Sequence, residues 1–552
     1  MNNVLVSLIM FSSLVAPSAL KEARLAAPET KAAGNGEQVT LRLLNVEDYI
    51  YEKDPEDEGA AKNLIHQFED YVEELDLGYT VKVSYATTDT PESMFNEVKI
   101  SPNNFDLICP SDYMIQKLIV NDMLEPMHID EDHMPNYFQN ASSIKDRLDN
   151  ISAVNATTGE TCYLKDYAVG YMWGTLGLLF DPAYGGRDPE QTIEDMQEWD
   201  TLWNPDYKGI SSIKDSVRDT YAIGLLHAYD EEFSSLKESY DNGDITAEKY
   251  NEDFSELFNK CDNDTLEKVR QSLTKLKGNV FGMEVDSGKQ DIVTGKIGIN
   301  FAWSGDAVYS MEQAEEEKEL ELYYSIPNTG SNLWMDAWCM PKSSLRSDAQ
   351  RELAELFLDF LSIPEYTAQN MDYTGYTPFT AGNEILDLTR EWYDYRYDEE
   401  TEEFDDSIPT QEEIEELGLQ RVDLSYFFEG TLTDEEGNVI DDPDAYIFYT
   451  DCYLPGAETD EDGNITGGNR AVGREFFCQF PDENTLARCA VMRDFGSQNE
   501  AVLKMWEKFK SDNLPVWAIV LFIVEVSAAL VLVLYFVIGK RIKYSLRKKR
   551  KE

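Results

Sequence analysis

At 552 residues the chain is too long for one ordinary core, and its 42% hydrophobic and 12% aromatic content excludes a disordered polymer. A formal net charge of −59 argues against nucleic acid as a partner, because phosphates would be repelled, and concentrates cations around the body instead. Residues 540–552 hold eight Lys/Arg against one acid, so the rest of the chain is more acidic still. An acidic surface also serves solubility alone.

Residues 1–20 form a signal-like hydrophobic segment, apolar over 4–19 and ending in small residues, without a basic lead-in. Residues 21–37 read as a polar linker. Residues 39–44 then read as a strand, and 55–75 as a helix with Leu64, Phe68, Val72 and Leu75 at helical spacing. Residues 80–85 alternate as a strand, and 91–100 follow as a helix. Residues 105–109 are a short buried-type strand. It ends at Pro110-Ser111-Asp112, where Ser and Asp are good helix caps. Residues 167–180 read as two consecutive strand segments and 297–303 as a further strand. A helix at about 306–317, a strand at 322–326 and an amphipathic helix at 350–361 complete the rhythm. Strands alternating with helices predict an α/β body with a mainly parallel sheet covered on both faces. In such sheets ligands bind beyond the carboxyl ends of the strands.

Residues 381–486 break the pattern. They are rich in acids and tyrosines and carry two hairpin-turn signals, Asp434–Asn438 and Asp460–Asn464. The second resembles part of a calcium loop but lacks its spacing and closing Glu. Residues 495–511 return to a helical pattern. The apolar stretch 516–538 is long enough to span a hydrocarbon core of about 30 Å. Trp517 and Tyr535 lie near its ends and the basic tail 539–552 follows at once, which places that tail in the cytoplasm and the acidic body outside. Glu525 is the acid that interrupts the apolar run.

Seven Cys occur without a CxxC pair, which excludes zinc-ribbon and thioredoxin chemistry. No phosphate-binding loop, nucleophile elbow or H-E-x-x-H motif is present, so no cofactor or catalytic metal is called for. The run from His128 to His133 offers metal ligands, but such a run is more often a solvated acidic loop.

The strand ends carry a different chemistry. Glu47-Asp48-Tyr49 follows the first strand, and Ser111-Asp112-Tyr113 follows the third. Lys214-Asp215-Ser216-Val217-Arg218-Asp219 follows another short apolar run. Trp303-Ser304-Gly305-Asp306, Trp334-Met335-Asp336 and Gly375-Tyr376 complete the set. An indole face beside a carboxylate suits an organic cation with an apolar body. Charge-assisted hydrogen bonds contribute roughly 1.5–3 kcal/mol each, and aromatic faces about 0.5–2 kcal/mol per cation. Trp203 and Tyr207 read instead as packing residues, and the Ser111 hydroxyl serves equally well as a helix cap.

The order of these segments resembles the spermidine/putrescine-binding proteins of ABC transporters. The resemblance rests on Asp106-Leu107-Ile108-Cys109-Pro110-Ser111-x-Tyr113, Leu202-Trp203-Asn204-Pro205-x-Tyr207-Lys208-Gly209, Ser216-x-Arg218-Asp219, Trp303-x-Gly305-x-Ala307 and Trp334-Met335-Asp336. It implies a two-lobed periplasmic-binding-protein-like fold (type II), here followed by one C-terminal transmembrane helix. Lobe 1 would take residues 38–180 and 336–380, and lobe 2 residues 181–335 and 487–512, with 381–486 as an acidic insertion. It further implies a polyamine ligand, putrescine or spermidine, and ABC permease and ATPase partners. Tyr49, Ser111 and Tyr113 would line one lobe. Asp219 would hold an ammonium group, Trp303 would stack on the alkyl chain, and Asp336 beside Trp334 would be the central carboxylate. Tyr376 would close the far end, and Asp48 and Asp306 match acids of putrescine-preferring members. Three positions depart from the pattern: Val46 replaces a Trp, Ser216 replaces an acid, and Arg493 replaces a neutral residue. The same fold also suits a surface sensor or interaction protein. An extracellular hydrolase with paired carboxylates is the third reading, although no acid pair is singled out.

Overall fold

The computed structural model describes residues 37–53, 61–398, 400–434, 436–440 and 442–511. The signal-like segment, the linker up to residue 36, the apolar stretch 516–538 with Glu525 and the basic tail lie outside the described residues. Among the described residues no helix is long and apolar enough to cross a membrane.

The first half alternates as its patterns predict, except that residues 61–63 of the helix expected over 55–75 are not helical and the helix begins at Leu64. It runs through β1 (Glu37–Val46), α1 (Leu64–Leu75), β2 (Tyr79–Thr88), α2 (Pro91–Ile100), β3 (Leu107–Ile108) and α3 (Asp112–Val120). Helix α1 buries Leu64, Phe68 and Val72, the face that the spacing marks. Helix α2 starts where Pro91 fixes the first turn and the Thr90 side chain caps the Ser93 N–H. The second half holds β4 (Ala168–Phe180), β5 (Ser211–Lys214), α4 (Val217–Ala228), β6 (Gly282–Glu284), β7 (Ile299–Trp303), α5 (Ser304–Lys318), β8 (Tyr323–Ser325) and β9 (Ser331–Cys339). The chain then returns through α6 (Asp348–Leu361), α7 (Pro364–Thr374) and β10 (Thr377–Pro378). Its last named elements are β11 (Val472–Gly473), α8 (Glu475–Gln479), β12 (Cys489–Ala490) and α9 (Asn499–Ser511).

One twelve-stranded sheet joins both halves in the order β2-β1-β3-β9-β4-β7-β5-β6, with β8, β10, β11 and β12 attached beside this path. The parallel pairing predicted from the βα rhythm is found toward both ends, where β1 pairs with β2 and β3, and β5 with β6 and β7. The centre is antiparallel because β4 and β9 carry the chain between the halves. Strand β4 pairs with β9 from Ala168 to Thr175, then with β7 from Leu176 to Phe180. The predicted pair of strand segments is therefore one strand of 13 residues shared by two lobes. Its register with β9 shifts between Asp336 and Ala337, leaving Tyr171 as the extra residue. Bulges of this kind re-aim side chains next to functional sites.

Apolar clusters cover both faces of the sheet. Phe68, Phe357 and Phe360 pack on one side, and Trp173, Met335 and Phe379 belong to the other. The acidic stretch 381–486 is built into the second cluster through Phe427, Phe428, Phe476, Phe477 and Phe480, all buried. Its strand β11 pairs with β8 of the main sheet. Most of its acids face water, although Asp394 is buried and paired with Arg396. All seven cysteines are thiols.

Candidate functional site

The site gathers where β9 crosses beneath the loop after β1 and the turn before α3. Asp336 is held in mid-strand, and Ser111 forms an isolated antiparallel bridge with it. The Tyr49 hydroxyl donates to Asp336 Oδ2 at 2.8 Å. The other oxygen, Oδ1, is shielded from water yet accepts no well-formed hydrogen bond. Desolvation pushes the Asp336 carboxyl up to about 6, against the pull of the Ser111 and Tyr49 hydroxyls, and the Asp219 carboxylate raises it further. Ser111 occupies the cap position of α3 but makes no side-chain capping bond; its hydroxyl pulls the pKa of the Asp336 carboxyl down.

Asp219 stands in the first turn of α4, from the other half of the chain. Its N–H donates to the Ser216 hydroxyl at 3.4 Å. Burial pushes its carboxyl up to about 6, with Ser216 and Lys214 pulling it down. Asp112 is buried beside this group and accepts the Met335 N–H at 2.9 Å; desolvation raises it to about 8.

Aromatic rings wall the space. Tyr49 meets Tyr376 edge to face at 5.2 Å and Tyr171 at 5.4 Å, and Trp334 meets Tyr376 at 5.4 Å. Two of these rings satisfy their polar atoms on backbone carbonyls: Trp334 Nε1 donates to Thr175 O, and the Tyr171 hydroxyl to Tyr49 O. Tyr376 follows Gly375, which ends α7 in the left-handed region at φ 70°. A side chain at Gly305 would overlap the Tyr376 ring, which explains the glycine of the Trp303-x-Gly305 motif. Gln479, at the end of α8, donates to Gly375 O and accepts from Thr377 through its carbonyl. The acidic stretch thereby braces the turn that presents Tyr376.

The second tyrosine–carboxylate pair differs from the first. The Tyr376 hydroxyl donates to Asp306 Oδ1 at 2.7 Å, but Asp306 Oδ2 is met by Lys214 Nζ at 3.3 Å. Lys214 is 1% exposed. Its ammonium also lies 3.2 Å from Glu284 Oε1, donates to Val285 O at 3.3 Å, and sits 4.2 Å from the Trp303 ring centroid. Lys289 approaches Asp306 at 3.8 Å from the rim, where it pairs with Asp286 at 2.9 Å.

Of the residues expected from sequence, Tyr49, Ser111, Trp334, Asp336 and Tyr376 form one contiguous group, with Asp219 sensed across the space. Asp306 and Trp303 stand beside it, already engaged by Lys214. Tyr113 is half-buried, donates to Glu92 at 3.1 Å, and lies under the Arg218 guanidinium at 5.3 Å. Glu47 and Asp48 are exposed on the loop after β1 and do not join the buried group. Lys214, Glu284, Arg218 and Asp112 were not anticipated as parts of the electrostatics. Lys214, Arg218 and Asp112 lay within noted segments, but only the register of β5 against β6 and β7 turns Lys214 inward; Glu284 gave no signal. Among the described residues no group of three or more His, Cys, Asp or Glu could hold a metal ion.

The spermidine/putrescine-binding periplasmic protein of Escherichia coli (strain K12) is 23% identical over 310 residues, covering 55% of this chain and 73% of that protein. The putrescine-binding periplasmic protein SpuD of Pseudomonas aeruginosa (strain UCBPP-PA14) is 23% identical over 301 residues, covering 53% and 70%. A solved structure from Listeria monocytogenes, assigned to spermidine/putrescine ABC transport, is 21% identical and superposes with a TM-score of 0.50 over 86% of this chain and 99% of that one. That likeness carries the fold, a two-lobed α/β body of the periplasmic-binding-protein type. The model of the bacterial extracellular solute-binding protein family matches residues 63–385, more than half of the chain. The chain therefore belongs to the bacterial extracellular solute-binding protein family, whose members bind solutes rather than transform them.

Proposed function

We propose that the chain captures a polyamine, putrescine or spermidine, outside the cell and delivers it to an ABC permease driven by a separate ATPase. The observation that carries this reading is Asp336. It is a half-buried carboxylate with one shielded oxygen lacking a well-formed hydrogen bond, walled by Tyr49, Trp334 and Tyr376. An ionised group so placed is costly unless a cation joins it. An ammonium group would restore the missing charge, and the ring faces would cover the methylenes beside it. Tyr49, Ser111 and Tyr376 would orient that amine, Asp219 would meet it from the second lobe, and Tyr113 would border the opening. The names of the similar proteins support the same solute class.

The finer points of the reading concern the ends of the chain. Residues 1–20 would direct export, and 516–538 would anchor the body at the outer face of the membrane, with the basic tail inside. Isothermal titration calorimetry of the full chain with putrescine, spermidine and a neutral amino acid tests the ligand class. Binding of the amino acid, with no heat from either polyamine, would reject it. Protease treatment of intact cells tests the orientation, since only the tail should survive.

A further inference from the structure

Lys214 gives the site a property of its own. Its ammonium has the surroundings that a ligand amine would seek: two carboxylates at 3.2 and 3.3 Å, a carbonyl at 3.3 Å and an indole face at 4.2 Å. We propose that Lys214 is a specificity-determining residue, a cation supplied by the chain that fills the Trp303–Asp306 end of the site and restricts the receptor to diamines in preference to triamines. The inference rests on the polyamine reading above and adds the length of the ligand to it.

Charge balance supports the choice. Five enclosed carboxyl groups, Asp112, Asp219, Glu284, Asp306 and Asp336, face the site or its Lys214 end, against two enclosed cations, Lys214 and Arg218. Lys289 is at the rim and is matched there by Asp286. Acid is thus in excess at the site, and Lys214 reduces that excess by one charge. Without Lys214 the site would favour a ligand carrying one more ammonium group. Space points the same way, because Lys214 Nζ covers a face of Trp303 and holds Asp306 Oδ2. A third ammonium would have to displace a lysine that is 1% exposed. A lone buried ammonium is costly, and the contacts with Asp306 and Glu284 offset that cost.

The test is calorimetry of the full chain with putrescine and spermidine, on the wild type and on Lys214→Met. In the wild type putrescine should bind at least about tenfold more tightly than spermidine. In Lys214→Met that ratio should fall or invert, and adding Asp306→Asn to it should restore the preference for putrescine. Equal or tighter binding of spermidine by the wild type overturns the inference while leaving the polyamine reading intact. An equal gain for both ligands in Lys214→Met also overturns it, since Lys214 would then be a general competitor. If the wild type binds neither ligand, the polyamine reading fails and this one fails with it. The wild-type ratio decides even where Lys214→Met does not fold.

Discussion

Asp306 and Asp336 look alike at first. Each lies near a tryptophan of the sheet, each accepts a tyrosine hydroxyl, and the two tyrosines pack edge to face at 5.2 Å. Their charges are balanced in opposite ways. Asp306 is 5% exposed and has Lys214 as a counter-ion, whereas Asp336 is only half-buried and, among the described residues, has no cation in salt-bridge contact. A carboxylate with an internal partner is part of the structure. A carboxylate held by hydroxyls alone, with its pKa lifted, is prepared for something that arrives. The same residue types thus divide between a carboxylate satisfied within the fold and one proposed to receive the ligand.

The largest effect should come from breaking the internally balanced end. Lys214→Met leaves Asp306 and Glu284 without their shared cation, and should lower the unfolding free energy by about 3–5 kcal/mol in urea titration. Asp336→Asn should leave it unchanged or raised, because that carboxylate is destabilised by burial in the free protein. Equal losses from the two variants would erase the distinction. The next effect is on binding: Asp336→Asn should cost about 1.5–3 kcal/mol of putrescine affinity through loss of the charged partner. An unchanged dissociation constant at low salt would remove Asp336 from the site.

How much of this was legible follows from the kind of pattern each part obeys. Helices with one buried face, such as α1, and the Trp/Asp strand ends could be read directly, since spacing encodes them. Strand β4 read as two segments because both of its faces are buried almost throughout, which leaves no alternation to mark its continuity. Lys214 read as an ordinary polar residue at a strand end. Its burial depends on Asp306, 92 residues away, and on Glu284 from the edge strand β6. The stretch 381–486 read as an added acidic module because its acids dominate composition. The buried Phe476, Phe477 and Gln479 that tie it to the sheet and to the Tyr376 turn are visible only in three dimensions.

Acid should expose the same contrast. Both Asp336 and Asp219 are raised to about 6 by burial, so each must lose a proton to hold an ammonium group at neutral pH. Putrescine affinity should therefore fall as pH drops from 7 to 5, by roughly tenfold per unit below 6 for each carboxylate involved. The unliganded protein should respond in the reverse sense. A folded-state pKa above the unfolded value favours the fold at low pH, and that contribution is lost as pH rises through about 6. Thermal melting with and without putrescine should then show a ligand-induced shift that grows from pH 5 to pH 7. A shift independent of pH would mean that neither carboxylate meets the ligand's charge.

The smallest effects separate the two tyrosines. Tyr49→Phe removes the hydroxyl that donates to Asp336 Oδ2 at 2.8 Å, leaving Ser111 as the other hydroxyl that holds its pKa down. Affinity for putrescine should weaken by about 0.5–1.5 kcal/mol, and the midpoint of its pH dependence should move upward, because less hydrogen bonding favours the protonated acid. Tyr376→Phe removes the donor to Asp306 Oδ1 at 2.7 Å, but Lys214 still neutralises that carboxylate, so the midpoint should stay in place. Both variants keep the ring and its edge-to-face packing, so the comparison isolates the hydroxyls. A midpoint that moves equally in both would show that Asp306, not only Asp336, titrates with ligand binding, and the division between a structural and a receptive carboxylate would have to be abandoned.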